Sequence, residues 1–314
     1  MSDKKTILPY LAGLCFSVLF GLSFIFSKEG LEVLDPFHLL TFRFAAAVLL
    51  LNVLRYTGMI CIDLKTKRMK TLLSLSLFQP VIYFICEMIG LNKTTASEAG
   101  MMIALIPVAS VILAVLFLKE RPTRAQLFFI ACSVFGVFFI MAMAGSVDVG
   151  GNFQGMLILL GAVFAASTYN ILAKKSSLHF SSIEITYVMM TVGLIVFSSI
   201  SILQHLMKGE LNLFFQPLQQ PQAIVSVFYL GFLSSVIGFF MMNYMLSKVE
   251  ATKASVFSNL ITVISISAGV VLLNDPFYWY HIIGGLLIII GVWGTNYFSR
   301  PQASVLKEAV ASCE

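Results

Sequence analysis

Charged residues are scarce in this 314-residue sequence. They make up 11% of the chain, whereas 59% of the residues are hydrophobic and the mean hydropathy is +0.93. Soluble domains carry about 25% charged residues. Because so few charges cannot cover a surface that faces water, much of this surface must face lipid. The sequence therefore predicts an integral membrane protein.

The chain also lacks the patterns of a disulfide framework, a metal site or a catalytic centre. Its five cysteines show no CxxC spacing, and its four histidines are far apart, which predicts no disulfides, no metal site and no cofactor. Without a His-Glu-x-x-His motif or a Walker Gly-Lys-Ser/Thr loop, the sequence predicts neither an enzyme nor ATP use. The net charge of +5 comes from basic residues scattered between apolar runs, which argues against a nucleic-acid partner.

Ten apolar runs are long enough to cross a bilayer. A hydrocarbon core of about 30 Å needs about 20 helical residues at a rise of about 1.5 Å each. The runs are continuous, whereas the strands of a membrane barrel alternate in hydropathy. The sequence predicts an all-α membrane protein with ten transmembrane helices: Ile7–Phe26, Phe37–Leu54, Leu72–Leu91, Ala96–Leu118, Leu127–Ala144, Gly155–Ala173, Ile183–Leu203, Ala223–Leu246, Ala254–Leu273 and Tyr280–Phe298.

Lysine and arginine are distributed unevenly between the connections. The two termini and every second connection carry sixteen of them, and the opposite connections carry three, namely Lys28, Lys93 and Lys208. Cytoplasmic loops hold the excess of basic residues. Both termini are therefore predicted to be cytoplasmic, in the cytoplasmic membrane of a bacterium. The first run is predicted to stay as an anchor, since no cleavage site for a signal peptide follows it.

The two halves of the sequence resemble each other. Residues Leu91–Ser97 resemble Leu246–Thr252 at a shift of 155 positions, and the first helix resembles the sixth at a shift of 144. Because five helices are an odd number, the second half must enter the membrane upside down. The sequence predicts a five-helix repeat at 1–148, an inverted repeat at 149–300 and a cytoplasmic tail at 301–314. Inverted repeats place a substrate site near the midplane and allow alternating access.

Motifs of the first half resemble those of a known family. They are Phe20–Phe24, Thr41–Phe44, Gly90–Ser97, Ala104–Pro107 and Leu118–Thr123. In this order on ten helices they are similar to the EamA-type transporters of the drug/metabolite transporter superfamily. The resemblance implies a secondary transporter, commonly an exporter of metabolites, amino acids or drugs. It does not imply a particular solute.

Two ionisable side chains lie well inside predicted spans. At about 1.5 Å per residue, Arg43 and Glu87 lie roughly 9 and 6 Å below the outer ends of their helices, so they can face each other. Charged side chains cost about 2.5–3.5 kcal/mol at the centre of a membrane helix and often mark a function. Glu87 is the first candidate for proton exchange or for binding a cationic solute. A static Arg–Glu pair that fixes helix packing is the alternative.

Further polar candidates lie near this pair. Gln79, Tyr83 and Glu87 are spaced four residues apart, which predicts a polar stripe on one face of the third helix. Glu98, at the outer start of the fourth helix, either extends an acidic path from Glu87 or complements the helix dipole. Pro80 predicts a bend, which either serves gating or is accommodated by neighbouring helices.

The ninth helix carries polar residues at helical spacing. Ser255, Asn259 and Thr262 either line a substrate pocket or hydrogen-bond to another helix. Pro107 in the fourth helix predicts a second bend, which, like that at Pro80, either serves gating or is accommodated by neighbouring helices. Four glycines of the last helix permit close approach to another helix: Gly284, Gly285, Gly291 and Gly294.

The leading prediction is a secondary transporter that exports a small organic solute with protons as the coupling ion. An importer or facilitator of a metabolite such as a vitamin or nucleoside is the alternative, because inverted halves work in both directions. An intramembrane enzyme or a membrane receptor is more remote. The expected partners are a small-molecule substrate, the lipid bilayer and protons. A homodimer is compatible with the sequence.

Overall fold

All regular elements that the structure describes are helical. The structure is a computed structural model that describes residues 2–64, 69–118, 122–147, 151–249 and 251–298. Its α-helices are α1 (Ser2–Leu31), α2 (Pro36–Tyr56), α3 (Met69–Ser76), α4 (Tyr83–Asn92), α5 (Ala96–Ile103), α6 (Ile106–Leu118), α7 (Arg124–Val147), α8 (Gly151–Ser176), α9 (Ser182–Lys208), α10 (Pro221–Phe228), α11 (Phe239–Lys248), α12 (Ala251–Leu272) and α13 (Trp279–Tyr297).

Short irregular helical segments join some of these elements. The π-helical segments Leu77–Ile82 and Tyr229–Gly238 connect α3 to α4 and α10 to α11. The 3-10 turns Leu211–Leu213 and Gln216–Gln219 lie between α9 and α10. Such wide or tight turns inside helices often accompany functional positions.

Seven helical stretches are long and apolar enough to cross a membrane, by length and composition. Three shorter apolar helices, Arg124–Ile140, Asn259–Leu272 and Trp279–Thr295, accompany them. Each of the ten predicted runs overlaps one of these stretches. The multi-pass helical class is confirmed, and the number of crossings stays a prediction. The seven stretches are Ile7–Leu31, Pro36–Tyr56, Met69–Asn92, Ala96–Leu113, Phe153–Ser176, Ser182–Lys208 and Pro221–Lys248.

Two helices extend more than a turn past their predicted ends. α1 runs to Leu31 and α9 to Lys208, beyond the predicted Phe26 and Leu203. A cation in the last helical turn stabilises the negative end of the helix dipole, so polar residues continue these helices where hydropathy falls. Lys28, which was predicted to lie in a connection, therefore belongs to the last turn of α1.

The helix that begins at Met69 is interrupted at Gln79. The backbone of Gln79 is extended, with φ −142° and ψ 118°. Proline lacks an N–H group and its ring pushes the preceding residue out of the helical region, so Pro80 causes this break. The predicted continuous stripe is therefore wrong for Gln79, and only Tyr83 and Glu87 share a helix. Gating by this break stays a prediction.

A second break divides the stretch predicted as one span from Ala96 to Leu118. Ala104 and Leu105 form a turn between α5 and α6, and Pro107 is the second residue of α6. The proline fits there because its missing N–H falls in the first turn of a helix, where that group has no helical partner. A gating role for Pro107 stays a prediction.

The bundle has two ends, which can be followed along α8. Gln154, near the start of α8, accepts a hydrogen bond from Lys93 at the end of α4. Lys174, near the end of α8, donates to carbonyl oxygens at the end of α11. The end that holds Lys28 and Lys93 is called the Lys28 end below, and the opposite end is called the Lys174 end.

Close contact between α7 and α13 depends on glycine. Three of the four predicted glycines, Gly284, Gly291 and Gly294, face α7. A methyl group on Gly291 would lie 2.6 Å from the carbonyl oxygen of Phe129, whereas a methyl group on Gly285 would meet no atom within 4 Å. Gly285 therefore differs from the other three and serves as their internal control.

We expect Gly291→Ala to lower the free energy of unfolding by about 1–3 kcal/mol, the usual cost of overpacking. Gly285→Ala should leave stability unchanged or raise it, because alanine is the better helix former and its methyl group meets open space. Thermal unfolding of both variants in one detergent measures the difference. Equal unfolding temperatures would contradict the close contact at Gly291.

Candidate functional site

Arg43 lies buried inside the bundle, with 1% of its surface exposed. Its Nε donates to the hydroxyl of Ser235 at 2.8 Å, and its Nη2 donates to the hydroxyl of Ser234 at 3.1 Å. The guanidinium carbon lies 4.2 Å from the centroid of the Phe84 ring, a cation–π geometry. One buried cation thus joins α2, α4 and the π-helical segment Tyr229–Gly238.

The two serines were missed by sequence reasoning, although the internal repeat contains the signal. At the shift of 155 positions, Ser234 and Ser235 correspond to Gln79 and Pro80, where the first half is interrupted. Gly231 lets this segment reach α2, since a methyl group there would lie 3.0 Å from the Arg43 carbonyl oxygen. An irregular helical segment in each half therefore contributes to the same region.

Glu87 is 3% exposed and its two carboxylate oxygens differ in their surroundings. Oε1 accepts a hydrogen bond from the Tyr83 hydroxyl at 3.0 Å. Oε2 has no hydrogen-bond partner within the described residues, and Oε1 of Gln79 has none either. Buried acceptors are nearly always satisfied, so each unsatisfied one needs an explanation. A proton or an N–H group of a solute would satisfy them.

Arg43 and Glu87 are electrostatic neighbours, as their depths predict. Among the residues that the structure describes, no hydrogen bond joins the guanidinium to the carboxylate: the bonds of Arg43 go to serines and that of Glu87 to Tyr83. The cation therefore attracts the carboxylate without occupying Oε2. Arg43, Glu87, Tyr83, Ser234, Ser235 and Phe84 are together called the central site.

Aromatic rings enclose the central site. Phe84 lies 5.4 Å from Phe44 and 6.1 Å from Phe239, measured between ring centroids. Phe239 in turn lies 5.0 Å from Phe20 of α1. All four rings are buried. In such an apolar environment electrostatic interactions are stronger than in water, and an unpaired polar group is correspondingly costly.

A second polar cluster lies nearer the Lys174 end and was also missed. The Tyr169 hydroxyl donates to Oδ1 of Asn243 at 2.5 Å, and Nδ2 of Asn243 donates to Thr186 at 3.1 Å. These residues belong to α8, α11 and α9 and are buried. An asparagine within the apolar run 223–246 was the available signal. The cluster ties three helices together.

Glu98 caps a helix. Its Oε2 accepts from the Thr95 backbone N–H and its own N–H donates to the Thr95 hydroxyl, both at 3.1 Å. This reciprocal arrangement is a capping box. Its Oε1 lies 3.7 Å from Nε2 of His281, and both side chains are 2% exposed. An acidic path from Glu87 through Glu98 stays a prediction.

The ninth-helix candidates have different surroundings. Thr262 donates to the Gly100 carbonyl oxygen at 2.8 Å, which is a helix–helix contact between α12 and α5. Oδ1 of Asn259 is buried and has no hydrogen-bond partner among the described residues. The side chain of Ser255 lies outside the described part of the structure. A pocket wall formed by these residues stays a prediction.

Comparisons with known proteins agree on one family. A family model described as the EamA-like transporter family matches residues 7–142 and again residues 153–297. The uncharacterized transporter YcxC of Bacillus subtilis is 37% identical over 288 residues, which cover 91% of this chain and 92% of the relative. An uncharacterized transporter of Archaeoglobus fulgidus is 28% identical over 274 residues, covering 87% and 93%.

A solved crystal structure has the same fold. Its TM-score is 0.61, and the superposition covers 94% of this chain and 96% of that chain at 17% sequence identity. At this identity the likeness concerns the fold alone. It extends over nearly the full length of both chains.

Proposed function

The chain belongs to the EamA-like transporter family, and on that premise we propose that it exports a small organic solute across the bacterial cytoplasmic membrane with protons as the coupling ion. Its relatives are named as transporters, and its own apolar helices are those of a multi-pass membrane protein. The observation that carries the proposal is the buried Glu87 carboxylate: one oxygen accepts a hydrogen bond from Tyr83, and the other has no hydrogen-bond partner among the described residues.

Glu87 couples the movement of the solute to the movement of protons, because the two compete for its carboxylate. A proton neutralises the carboxylate, whereas a cationic or N–H-bearing group of a solute binds its ionised form, so the two occupants exclude each other. Arg43 stabilises the ionised form without blocking Oε2. Burial makes an ionised carboxylate costly and Arg43 offsets only part of that cost, so the carboxylate exchanges one occupant for the other and is not left empty.

Alternating access requires two inverted halves, and two lysines support that arrangement. Nζ of Lys28 donates to the carbonyl oxygens of Leu91 and Thr94 at 2.9 and 2.6 Å, which caps the end of α4. Nζ of Lys174 donates at 2.8 and 3.1 Å to the carbonyl oxygens of the residues 155 positions later, at the end of α11. The same cap thus occurs once at each end of the bundle.

Helix packing supports the same two-fold relation. α1 packs against α12 and against the stretch from α10 to α11, and α8 packs correspondingly against α5 and α6 and against the stretch from α3 to α4. The pairs α2 with α9, α5 with α12, and α7 with α13 join equivalent helices of the two halves. We propose ten crossings in two inverted five-helix repeats, residues 1–148 and 149–300, that rock against each other.

The excess of basic residues supports a cytoplasmic location of the Lys174 end. In a cysteine-free protein, Lys93→Cys should react with a membrane-impermeant maleimide on intact cells. Lys248→Cys, at the opposite end, should react only after permeabilisation. Both side chains are exposed, so access is set by the membrane. The reverse pattern would overturn the proposed orientation.

The experiment that tests the function places the purified protein in vesicles that enclose a pH-sensitive dye. Amino acids, nucleosides, flavins and cationic drugs are added in turn. Proton movement driven by one solute, and absent from protein-free vesicles, supports coupled transport. Solute movement without protons would instead favour a facilitator, and an absence of movement for every solute would count against a transporter of these classes.

A further inference from the structure

A cavity of about 510 Å³ opens at the Lys28 end of the bundle. It lies between the connection from α1 to α2 and the connection from α9 to α10. None of its lining residues belongs to the central site. Its volume falls within the roughly 300–1,000 Å³ of small-molecule sites.

The cavity is acidic. Glu32, Asp35 and Glu210 line it, and none of the described residues that line it is a lysine or an arginine. Lys28 interacts electrostatically with Glu32. Lys208 lies 3.4 Å from Asp35, and both side chains are more than half exposed. An exposed pair of this kind neutralises one charge only weakly. Carboxylates lining a concave surface raise the local concentration of cations.

His38 supplies a second, independent sign of a ligand. It lines the cavity although only 3% of its surface is exposed. The ring interacts with the Phe214 backbone, but its Nε2 has no partner in hydrogen-bond geometry within the described residues. Its ring is held at 4.5 Å from His205 and at 4.4 Å from Phe214, between centroids. A buried ring nitrogen without a partner costs free energy unless a ligand satisfies it.

His205 adds a further acceptor. Its Nδ1 lies 2.8 Å from the Ser201 carbonyl oxygen, so Nδ1 carries the hydrogen, and in the neutral ring Nε2 is an acceptor. Three carboxylates and two histidine rings thus line the cavity together with the amides of Gln216 and Gln220. Carboxylate oxygens and unprotonated ring nitrogens accept hydrogen bonds, which suits a positively charged group that carries N–H donors.

We propose that this cavity binds an organic ammonium ion with N–H groups. A divalent metal fits less well, because the part of the chain that the structure describes contains no group of three His, Cys, Asp or Glu side chains arranged to hold one. The ammonium group contacts the carboxylates and donates to Nε2 of His38. This binding does not depend on proton coupling at Glu87. The same chemistry occurs in a soluble amine and in the ethanolamine head group of a lipid.

The test uses the full-length protein in phosphatidylcholine nanodiscs and measures ethanolamine binding by saturation-transfer NMR. We expect saturable binding that weakens with added salt and that is at least tenfold weaker for tetramethylammonium, which lacks N–H donors. His38→Leu should weaken ethanolamine binding at least tenfold. Glu210→Gln, at an exposed position, should weaken it severalfold with no effect on folding.

Glu29→Gln is the matched control, because Glu29 is a carboxylate of the same end that does not line the cavity. Nanodiscs that contain phosphatidylethanolamine separate the two sources. A weaker apparent affinity for ethanolamine there identifies the lipid head group as an occupant, and an unchanged affinity identifies a soluble amine. Absent binding, or binding that is equal for tetramethylammonium and unaffected by both lining variants, overturns the proposal.

Discussion

Replacing Glu87 with glutamine is expected to abolish solute-driven proton movement, down to the level of protein-free vesicles. Glutamine keeps the size of the side chain and an oxygen that accepts the Tyr83 hydroxyl, but it cannot bind and release a proton. Solute movement that remains should no longer respond to a pH gradient. The measurement compares dye fluorescence and solute flux in vesicles at several external pH values.

Glu184→Gln is the matched control for this experiment. Glu184 is also a buried glutamate, 4% exposed, but it closes a capping box with Ser181 at the start of α9. Glutamine serves at that capping position, so this variant should fold and keep its pH response. If Glu87→Gln retains the same pH dependence as Glu184→Gln, proton coupling at Glu87 is wrong.

Replacing Arg43 with alanine should produce the largest loss of stability, about 3–5 kcal/mol, because it leaves a buried carboxylate without its compensating cation. The hydroxyls of Ser234 and Ser235 lose their donor in the same step. The stability of Arg43→Lys should lie between those of the unmodified protein and Arg43→Ala. Lysine keeps the charge, but it cannot form the two hydrogen bonds of the guanidinium or stack on Phe84. Reversible unfolding in detergent micelles measures the free energy of unfolding of the unmodified protein and of both variants.

A double variant separates the charge interaction from the loss of packing. In Arg43→Ala combined with Glu87→Gln no uncompensated carboxylate remains, so the loss of stability should be smaller than the sum of the two single losses. The difference measures the electrostatic coupling between the two side chains. Strictly additive losses would mean that Arg43 stabilises the serines and Phe84 and has no part in the state of Glu87.

Several helix boundaries could be predicted only to within a turn. Hydropathy ends α1 at Phe26 because Lys28 follows, yet Lys28 is helical and caps α4 through its side chain. Conversely, helical spacing joined Gln79 to Tyr83, although Pro80 interrupts the backbone between them. Local patterns record average polarity, and they miss bonds that a side chain makes to a distant helix.

The candidate site was predictable where a residue was anomalous in its own segment. A charge inside an apolar run is costly, and this alone singled out Arg43 and Glu87. Serines are common in membrane helices as contacts between helices, so Ser234 and Ser235 gave no comparable signal. His38, beside a predicted helix start, was equally inconspicuous until the fold placed it on a cavity.

The sequence by itself determined that this protein is a helical membrane protein, because lipid exposure demands long apolar runs, and its charge asymmetry and internal likeness predicted the orientation and the two halves. Only the tertiary structure decided which polar side chains meet. Arg43 bonds to residues 191 and 192 positions away, and no periodicity within a segment specifies such a pair. The physical reason is that buried polar groups are satisfied by whichever helices packing brings together, and packing is a property of the whole bundle.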